Sequence, residues 1–188
     1  MNEFTFEEYH RLAQRTSPDD GHDRTDNAIF GLIGETGEIA DLYKKWKYQS
    51  TPGTMMPRER MLEEAGDVLW YLAELATGLE IDLAAVAGVV TFREFDAELL
   101  RRRNSTRNND IRHMILAMNS RASSICYFVG RKENKRTKAQ IKAMLTALGT
   151  LALACGESTY RVARANIQKL RERYPDGFDA RKSMERYE

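Results

Sequence analysis

Residues 58–79 read R-E-R-M-L-E-E-A-G-D-V-L-W-Y-L-A-E-L-A-T-G-L, and this stretch decides the fold class. Apolar residues return in it every three or four positions, as on one face of an amphipathic helix. They are Met61, Ala65, Val68, Leu72, Leu75 and Leu79. The same spacing recurs along almost the whole chain, whereas alternating β-branched runs are nearly absent. The sequence therefore predicts an all-α protein, an antiparallel bundle of six or seven helices.

Breaks in the helical pattern set the approximate bounds of these helices. The predicted helices cover residues 5–15, 27–47, 58–79, 82–102, 111–129, 141–155 and 158–174. Two prolines and a glycine make residues 48–57 a loop, and a basic run makes residues 130–138 a second loop. Pro175 ends the last helix, because proline cannot continue it.

The composition is that of a globular chain with little net charge. Of 188 residues, 42% are hydrophobic, and 29 basic against 28 acidic residues leave a net charge of +1. So small a charge steers neither nucleic acid nor other anions strongly, and a nucleic-acid partner is not expected. No apolar run is long enough to span a membrane, and the acidic start lacks the apolar core of a signal peptide, which predicts a cytoplasmic protein. Cys126 and Cys155 lie in apolar helical stretches, which predicts two buried thiols in a reducing compartment.

Two halves are predicted from a linker-like run and from a weak internal similarity. The run R-R-R-N-S-T-R-N-N-D at residues 101–110 is the best internal boundary. L-A-T-G-L-E-I-D-L-A-A-V-A in the first half has a counterpart in L-A-C-G-E-S-T-Y-R-V-A in the second. We therefore expect a degenerate tandem duplication with halves 1–104 and 105–188, although two amphipathic hairpins also resemble each other by composition alone.

Four carboxylates carry the strongest chemical signal. Glu35 and Glu38 form one pair, and Glu64 and Asp67 form another. Each pair is spaced i, i+3, so both of its carboxylates point the same way from a helix, next to the apolar stripe. A glycine flanks each pair and is expected to permit close helix approach. Four clustered anions repel one another unless a cation neutralises them, and an all-oxygen set suits a hard ion such as Mg²⁺. The alternative is an ordinary solvated helix surface.

Three segments resemble the MazG-type all-α nucleoside triphosphate pyrophosphohydrolases. They are F-E-E-Y-H-R-L-A-Q-R-T, G-L-I-G-E-T-G-E-I-A-D-L-Y-K-K and L-E-E-A-G-D-V-L-W-Y-L-A, within the first 90 residues. The resemblance implies that Glu35, Glu38, Glu64 and Asp67 are the catalytic, metal-binding acids, with Mg²⁺ as the cofactor and Mn²⁺ as a substitute. It also implies hydrolysis of a nucleoside or deoxynucleoside triphosphate to the monophosphate and pyrophosphate, in nucleotide-pool housekeeping or regulation.

The chain departs from the family pattern in the helix that follows the acids. Such modules typically carry V-A-x-A-N-x-x-K-L there, but the first half has Val90 and Arg93 in place of the Asn and the Lys. The second half contains V-A-R-A-N-I-Q-K-L-R-E-R-Y instead. The resemblance implies that its polar residues contact the substrate. They are Asn166, Lys169, Arg173 and the adjoining Tyr174.

The second half lacks the acids. By a rough alignment their places are taken by residues 119–122 and 142–145, which read N-S-R-A and K-A-M-L. The halves are thus complementary, and we expect one active site shared between them in an internal pseudo-dimer. A homo-oligomer is a further possibility.

Two other functions fit parts of the sequence. A non-catalytic nucleotide-binding or regulatory protein could keep this fold, but the intact set of four acids speaks against it. The pairs Glu7/His10 and Asp110/His113 resemble ligand pairs of di-iron carboxylate bundles. Those bundles need two E-x-x-H pairs and two further glutamates in the core, and only one E-x-x-H pair is present.

Overall fold

The protein is described from a computed structural model that covers residues 3–18, 23–103 and 110–181. Within these ranges the chain forms eight α-helices. They are α1 (Phe6–Gln14), α2 (Arg24–Gln49), α3 (Arg58–Gly78), α4 (Leu83–Ala87), α5 (Phe92–Arg103), α6 (Ile111–Gly130), α7 (Asn134–Cys155) and α8 (Thr159–Arg173). The all-α prediction is confirmed, and the one β-type feature in the described ranges is an isolated bridge between Thr5 and Thr91.

The helix predicted over residues 82–102 is two helices, and this prediction was wrong. Gly88 has φ 81° and ψ 16°, a left-handed conformation that ends α4. Thr91 then starts α5, because its hydroxyl accepts the Glu94 N–H at 3.1 Å while the Glu94 carboxylate accepts the Thr91 N–H at 2.8 Å. This reciprocal arrangement is a capping box. The sequence T-F-R-E at residues 91–94 is typical of this motif.

The predicted basic loop at residues 130–138 is also shorter than expected. Helix α7 begins at Asn134, so most of the basic residues lie on its first turns. A helix surface can carry such charges as well as a loop can, because the long side chains reach solvent. Part of the predicted linker, residues 104–109, lies outside the described residues.

Four long helices build the core. Helices α2 and α3 pack as one hairpin, α6 and α7 as another, and α2 also packs along α6. Their buried faces are aliphatic, with Leu32, Leu69, Leu72, Ile125 and Leu148 fully excluded from solvent. Helix α8 lies against α3, which brings the end of the chain to the acid-bearing hairpin.

Gly31 and Gly66 both allow close contacts at the acid-bearing hairpin, and of these only Gly66 is a glycine expected from its place beside an acid pair. A methyl group on Gly31 would lie 2.2 Å from the Tyr71 ring, and one on Gly66 would lie 3.0 Å from Asn166 Cβ. Gly34 and Gly37, which flank Glu35, face open space. Close approach is therefore required of Gly31 and Gly66, not of the glycines next to the first acid pair.

The two cysteines differ in exposure, and the helices of the described ranges differ from membrane spans in length or apolar character. Cys155 is buried as predicted, but Cys126 is exposed, because it lies on the outer face of α6. Of the described helices, none alone has the length and apolar character of a membrane span, and α7 and α8 together reach them only as a pair bent by 96°.

Candidate metal and phosphate site

Three of the four predicted acids lie together between α2 and α3. Each of Glu35, Glu64 and Asp67 offers a carboxylate oxygen, and these three oxygens lie within 4.8 Å of one another. Glu35 and Asp67 are buried, each with 8% of its surface exposed, and Glu64 is half-buried. The i, i+3 spacing on α3 puts Glu64 and Asp67 on one face, and packing of α2 along α3 adds Glu35.

Glu38 stands apart from this cluster. It follows Glu35 by one turn on α2, but it is exposed to solvent. The sequence pattern could not separate the two residues, because i, i+3 spacing gives both the same general direction. The packing of α2 against α3 buries Glu35 beside the α3 acids and leaves Glu38 exposed at the rim.

Helix α8 brings two of the predicted phosphate contacts to Asp67. Asn166 Nδ2 donates to Asp67 Oδ1 at 3.0 Å. Lys169 Nζ lies 2.7 Å from Oδ1 and 2.6 Å from Oδ2 of the same carboxylate. Asn166 is buried, whereas 40% of the Lys169 side chain is exposed. The ammonium group is therefore next to the acids and accessible from solvent.

Tyr9 completes a buried polar chain that sequence reasoning missed. Its hydroxyl donates to Asn166 Oδ1 at 2.9 Å, so α1, α8 and α3 are linked from Tyr9 through Asn166 to Asp67. Burial raises the pKa of Tyr9 well above its usual value, and the negative charge of Asp67 raises it further. The hydroxyl thus stays protonated and fixes the orientation of the Asn166 amide. The signal in the sequence was a tyrosine on an otherwise apolar helix face.

Arg173 and Tyr174 lie at the end of α8, one turn beyond Lys169. The Arg173 guanidinium is 5.2 Å from the centroid of the Tyr174 ring. Tyr174 is buried, and its ring lies 5.9 Å from that of Phe178. These contacts tie the end of α8 to the segment that follows it. Of the four predicted substrate contacts, Asn166 and Lys169 are the ones that contact an acid of the cluster, Asp67.

Asp96 fixes the start of α8 and was also missed from the sequence. This buried carboxylate accepts the Thr159 N–H at 2.8 Å and the Tyr160 N–H at 3.0 Å. Both donors belong to the first turn of α8, where N–H groups lack partners within the helix. Asp96 on α5 therefore positions the helix that carries Asn166 and Lys169.

Glu74 is a buried acid with a separate, structural environment. It is fully buried two turns beyond Asp67 on α3. Gln14 Nε2 donates to it at 2.7 Å and Ser17 Oγ at 2.8 Å, and Arg24 Nη1 lies 3.9 Å away. These partners satisfy the buried charge, as such groups require. Glu74 thereby anchors the ends of α1 and α2 to α3.

His10 serves this structural region and not a di-iron site. Its Nε2 atom is 2.7 Å from Thr77 Oγ1. Burial lowers the pKa of His10, while the nearby carboxylates of Glu74 and Asp82 raise it in part. Among the described residues, the group able to hold a metal consists of carboxylates alone.

The donor set fits a hard divalent cation. Three carboxylates from two helices supply only oxygen, the ligand type that Mg²⁺ and Mn²⁺ favour. Mg²⁺ usually keeps several waters and is bound by one or two carboxylates together with substrate phosphates. A lysine and an amide beside the acids supply cationic and hydrogen-bonding contacts of the kind that phosphate oxygens accept.

Comparison with known proteins gives two partial similarities. The chain is 43% identical to dCTP pyrophosphatase 1 of Mus musculus over 61 residues, which are 30% of this chain and 35% of that protein. It is 42% identical to the Gene 37 protein of Mycobacterium phage L5 over 57 residues, which are 30% of this chain and 50% of that protein. No family model and no solved structure matches the chain. Part of this all-α chain is thus similar to a nucleotide pyrophosphatase.

Proposed function

We propose that the protein is a Mg²⁺-dependent nucleoside triphosphate pyrophosphohydrolase of the MazG type. One observation carries the proposal: Glu35, Glu64 and Asp67 converge within 4.8 Å, and Asn166 and Lys169 from a distant part of the chain contact Asp67. The partial similarity to a dCTP pyrophosphatase supports it. Mn²⁺ is an alternative cofactor, and a cytoplasmic location is part of the proposal.

The carboxylates would hold the metal, and the cations would meet the phosphates. Glu35, Glu64 and Asp67 are the ligands in this proposal, with Glu38 at the rim as a candidate fourth. The bound ion would polarise the phosphate oxygens and lower the pKa of a bound water. A carboxylate not used in ligation would accept the proton of the attacking water. The water would attack the α-phosphorus, and the bond from that phosphorus to the bridging oxygen would break so that pyrophosphate leaves with this oxygen.

Positive charge on α8 would stabilise the leaving group. Lys169 is held beside Asp67 by two contacts and carries its ammonium group on a flexible stem, so it can reach a phosphate oxygen nearby. Arg173 lies one turn further along the same helix and would neutralise the end of the pyrophosphate. Asn166 would act by orienting Asp67, because its amide is fixed between Asp67 and Tyr9.

The site would be shared between the two ends of the chain. The acids belong to α2 and α3, and the phosphate contacts belong to α8. In the proposed pseudo-dimer, with halves 1–104 and 105–188, each half contributes a different part of one site. Tyr174, at the end of α8, would support this helix from the protein interior.

Pyrophosphate release from a panel of nucleotides, including dCTP, tests the proposal. The full-length chain is assayed with Mg²⁺ and with a chelator. Glu35→Gln and Asp67→Asn keep the side-chain shape and remove a charge, so turnover should fall by about 100-fold or more. Glu63→Gln is the matched control, because Glu63 is an exposed neighbour on α3 outside the cluster. Equal activity in Asp67→Asn and wild type would contradict the assignment.

Two further arms separate the alternatives. Glu38→Gln decides whether the exposed acid belongs to the site: a loss as large as that of Glu35→Gln includes Glu38 among the ligands. Nucleotide binding without pyrophosphate release in the wild type would favour the non-catalytic nucleotide-binding protein instead.

A further inference from the structure

The starts of α1 and α5 contact each other through matched bonds. The Phe6 N–H donates to the Val90 carbonyl at 3.1 Å, and the Phe92 N–H donates to the Phe4 carbonyl at 3.3 Å. Thr5 and Thr91 are 86 residues apart, and the two bonds are related by the same separation: the donor shifts forward from Phe6 to Phe92, and the acceptor shifts back from Val90 to Phe4. Any antiparallel bridge pairs its flanking groups in this way, so the bridge by itself only sets the offset of 86 residues against which other contacts can be compared.

The same offset relates caps and aromatic contacts. Thr5 caps α1 by accepting the Glu8 N–H at 2.9 Å, as Thr91 caps α5. Phe6 meets Phe95 edge-on at 5.7 Å, and its counterpart Phe92 meets Tyr9 edge-on, also at 5.7 Å. The cap hydrogen bonds and the ring contacts are thus related by the same offset of 86 residues.

A second offset relates the ends of α3 and α7. The Ile81 N–H donates to the Ala76 carbonyl at 2.7 Å, and the Glu157 N–H donates to the Ala152 carbonyl at 2.9 Å. Both bonds close the same C-terminal turn, 76 residues apart. Asp82 and Ser158, the caps of α4 and α8, have the same separation. The offset between matched residues decreases from 86 to 76 between the α2/α6 pair and the α3/α7 pair. The reason is that the α2–α3 connection is longer than the α6–α7 connection.

Burial along the helices follows these two offsets. In α2 and α6 the buried pairs 86 residues apart are Ala28/Met114, Ile29/Ile115, Leu32/Met118, Thr36/Ala122 and Ile39/Ile125. In α3 and α7 the buried pairs 76 residues apart include Ala65/Ile141, Val68/Met144, Leu72/Leu148 and Ala76/Ala152.

The offsets identify the counterparts of the acids. Arg121 matches Glu35, Gln140 matches Glu64, and Ala143 matches Asp67. Arg121 Nη1 donates to Gln140 Oε1 at 3.1 Å, so the counterparts of two clustered acids are themselves in contact. The structure therefore replaces the rough sequence alignment, which matched the acids to residues 119–122 and 142–145. The three acids thus correspond to one arginine and two neutral residues.

A cavity of about 430 Å³ lies beside these counterparts. In the first half, Trp70 reaches Ala13 and Thr16 with its ring N–H at 3.2 and 3.0 Å, and Tyr71 fills the space over Gly31. The counterparts of Trp70 and Tyr71 are the small residues Thr146 and Ala147. The counterparts of the three residues they contact line the cavity: Leu99, Arg102 and Ala117. The cavity exists because two aromatic rings are missing from the second half.

Its wall combines two guanidinium groups and an imidazole with apolar surface. Arg121, Arg102 and His113 line it together with Leu99 and Met114. Arg102 also bonds to Glu98 on its own helix, and Arg121 is half-buried. Guanidinium groups bind phosphate through paired N–H donors, while an apolar wall accepts a ring. A volume of this size is typical of small-ligand pockets.

We propose that the chain is a tandem duplication whose second copy has become a separate nucleotide-binding site without metal. Arg121 and Arg102 bind the phosphates, and the apolar wall next to Ala147 holds the base or sugar. The repeat boundary in this proposal lies between α4 and α5, because the matched copies begin at Thr5 and Thr91, and it replaces the boundary at residue 104. This site is independent of hydrolysis at the acid cluster.

Binding of ATP to the full-length chain in EDTA tests the site apart from catalysis. All variants carry Lys169→Ala, which weakens phosphate binding at the acid cluster. In this background ATP should bind once per chain, and Arg121→Met should weaken binding by roughly tenfold to a hundredfold, typical of losing a charge-assisted hydrogen bond. Arg112→Met, an exposed change of equal charge on α6 outside the cavity, should bind like its parent.

A second variant refills the cavity. Thr146→Trp restores the residue found at the matching position of the first half and should abolish ATP binding in EDTA. Unchanged binding in Thr146→Trp and in Arg121→Met would overturn the proposal. Inorganic phosphate should bind at least tenfold more weakly than ATP, and equal affinity would overturn the nucleotide assignment. Pyrophosphate release is not measured here, so failure of this site leaves the proposed hydrolase activity untouched.

Discussion

Replacing Gly66 by alanine tests the packing of α8 on α3 at the candidate site. A methyl group on Gly66 would lie 3.0 Å from Asn166 Cβ and 3.2 Å from Asn166 Nδ2. Comfortable carbon contacts are about 3.5 to 4.0 Å, so α8 must move away by roughly 0.5 to 1 Å. Because Cβ is fixed to the backbone, a rotamer change of Asn166 cannot relieve the closer contact.

Two opposing effects set the change in stability of Gly66→Ala. Alanine in place of glycine within a helix stabilises by about 0.8 to 1 kcal/mol. Overpacking in a tight interface costs about 1 to 3 kcal/mol. The net expectation is therefore a loss of about 0 to 2 kcal/mol in the free energy of unfolding. The displacement also moves Asn166 and Lys169 from Asp67, so kcat/KM for pyrophosphate release should fall by about 10- to 100-fold.

Urea unfolding followed by circular dichroism, together with pyrophosphate release, measures both effects. Gly130→Ala is the matched control, because Gly130 ends α6 and a methyl group there meets nothing within 4 Å. It should stabilise the protein by up to about 1 kcal/mol and leave turnover unchanged. A Gly66→Ala protein that gains the same stability and keeps full activity would refute the described packing of α8 on α3.

Three further predictions concern single side chains. Tyr9→Phe removes the donor to buried Asn166 Oδ1 and should cost about 1 to 3 kcal/mol in urea unfolding, with lower turnover; a neutral effect would contradict the polar chain. The pKa of His10 is lowered in the fold, so the unfolded chain binds more protons and stability is lost as pH falls below the ordinary histidine value of about 6.5. His10→Gln should lose less stability over that range in pH-dependent urea unfolding, and an identical pH profile would count against this assignment. A thiol reagent should modify exposed Cys126 quickly and Cys155 slowly, because Cys155 is buried and burial raises its pKa, and equal rates would argue against the burial difference.

The sequence by itself determined the helical class and the shared face of the acids on α3. Period-3.6 apolar spacing depends only on the geometry of one helix, so α3 was predicted almost to the residue. The i, i+3 spacing likewise places Glu64 and Asp67 on one face before any tertiary contact is known. The capping motif T-F-R-E also indicated a helix start after Gly88. The apolar spacing continues through this region, so a single helix was predicted instead.

Tertiary structure alone decided which of these residues meet. Glu35 and Glu38 are equivalent by spacing, and only the packing of α2 against α3 buries one and exposes the other. Tyr9 and Asn166 are 157 positions apart, so no local pattern could pair them. The roles of Gly31 and Gly66 depend on what lies opposite each helix, as does the cavity next to Thr146. The physical reason is that periodicity fixes the direction of a side chain from its own helix, whereas burial and contact depend on the partner helix, which the fold supplies.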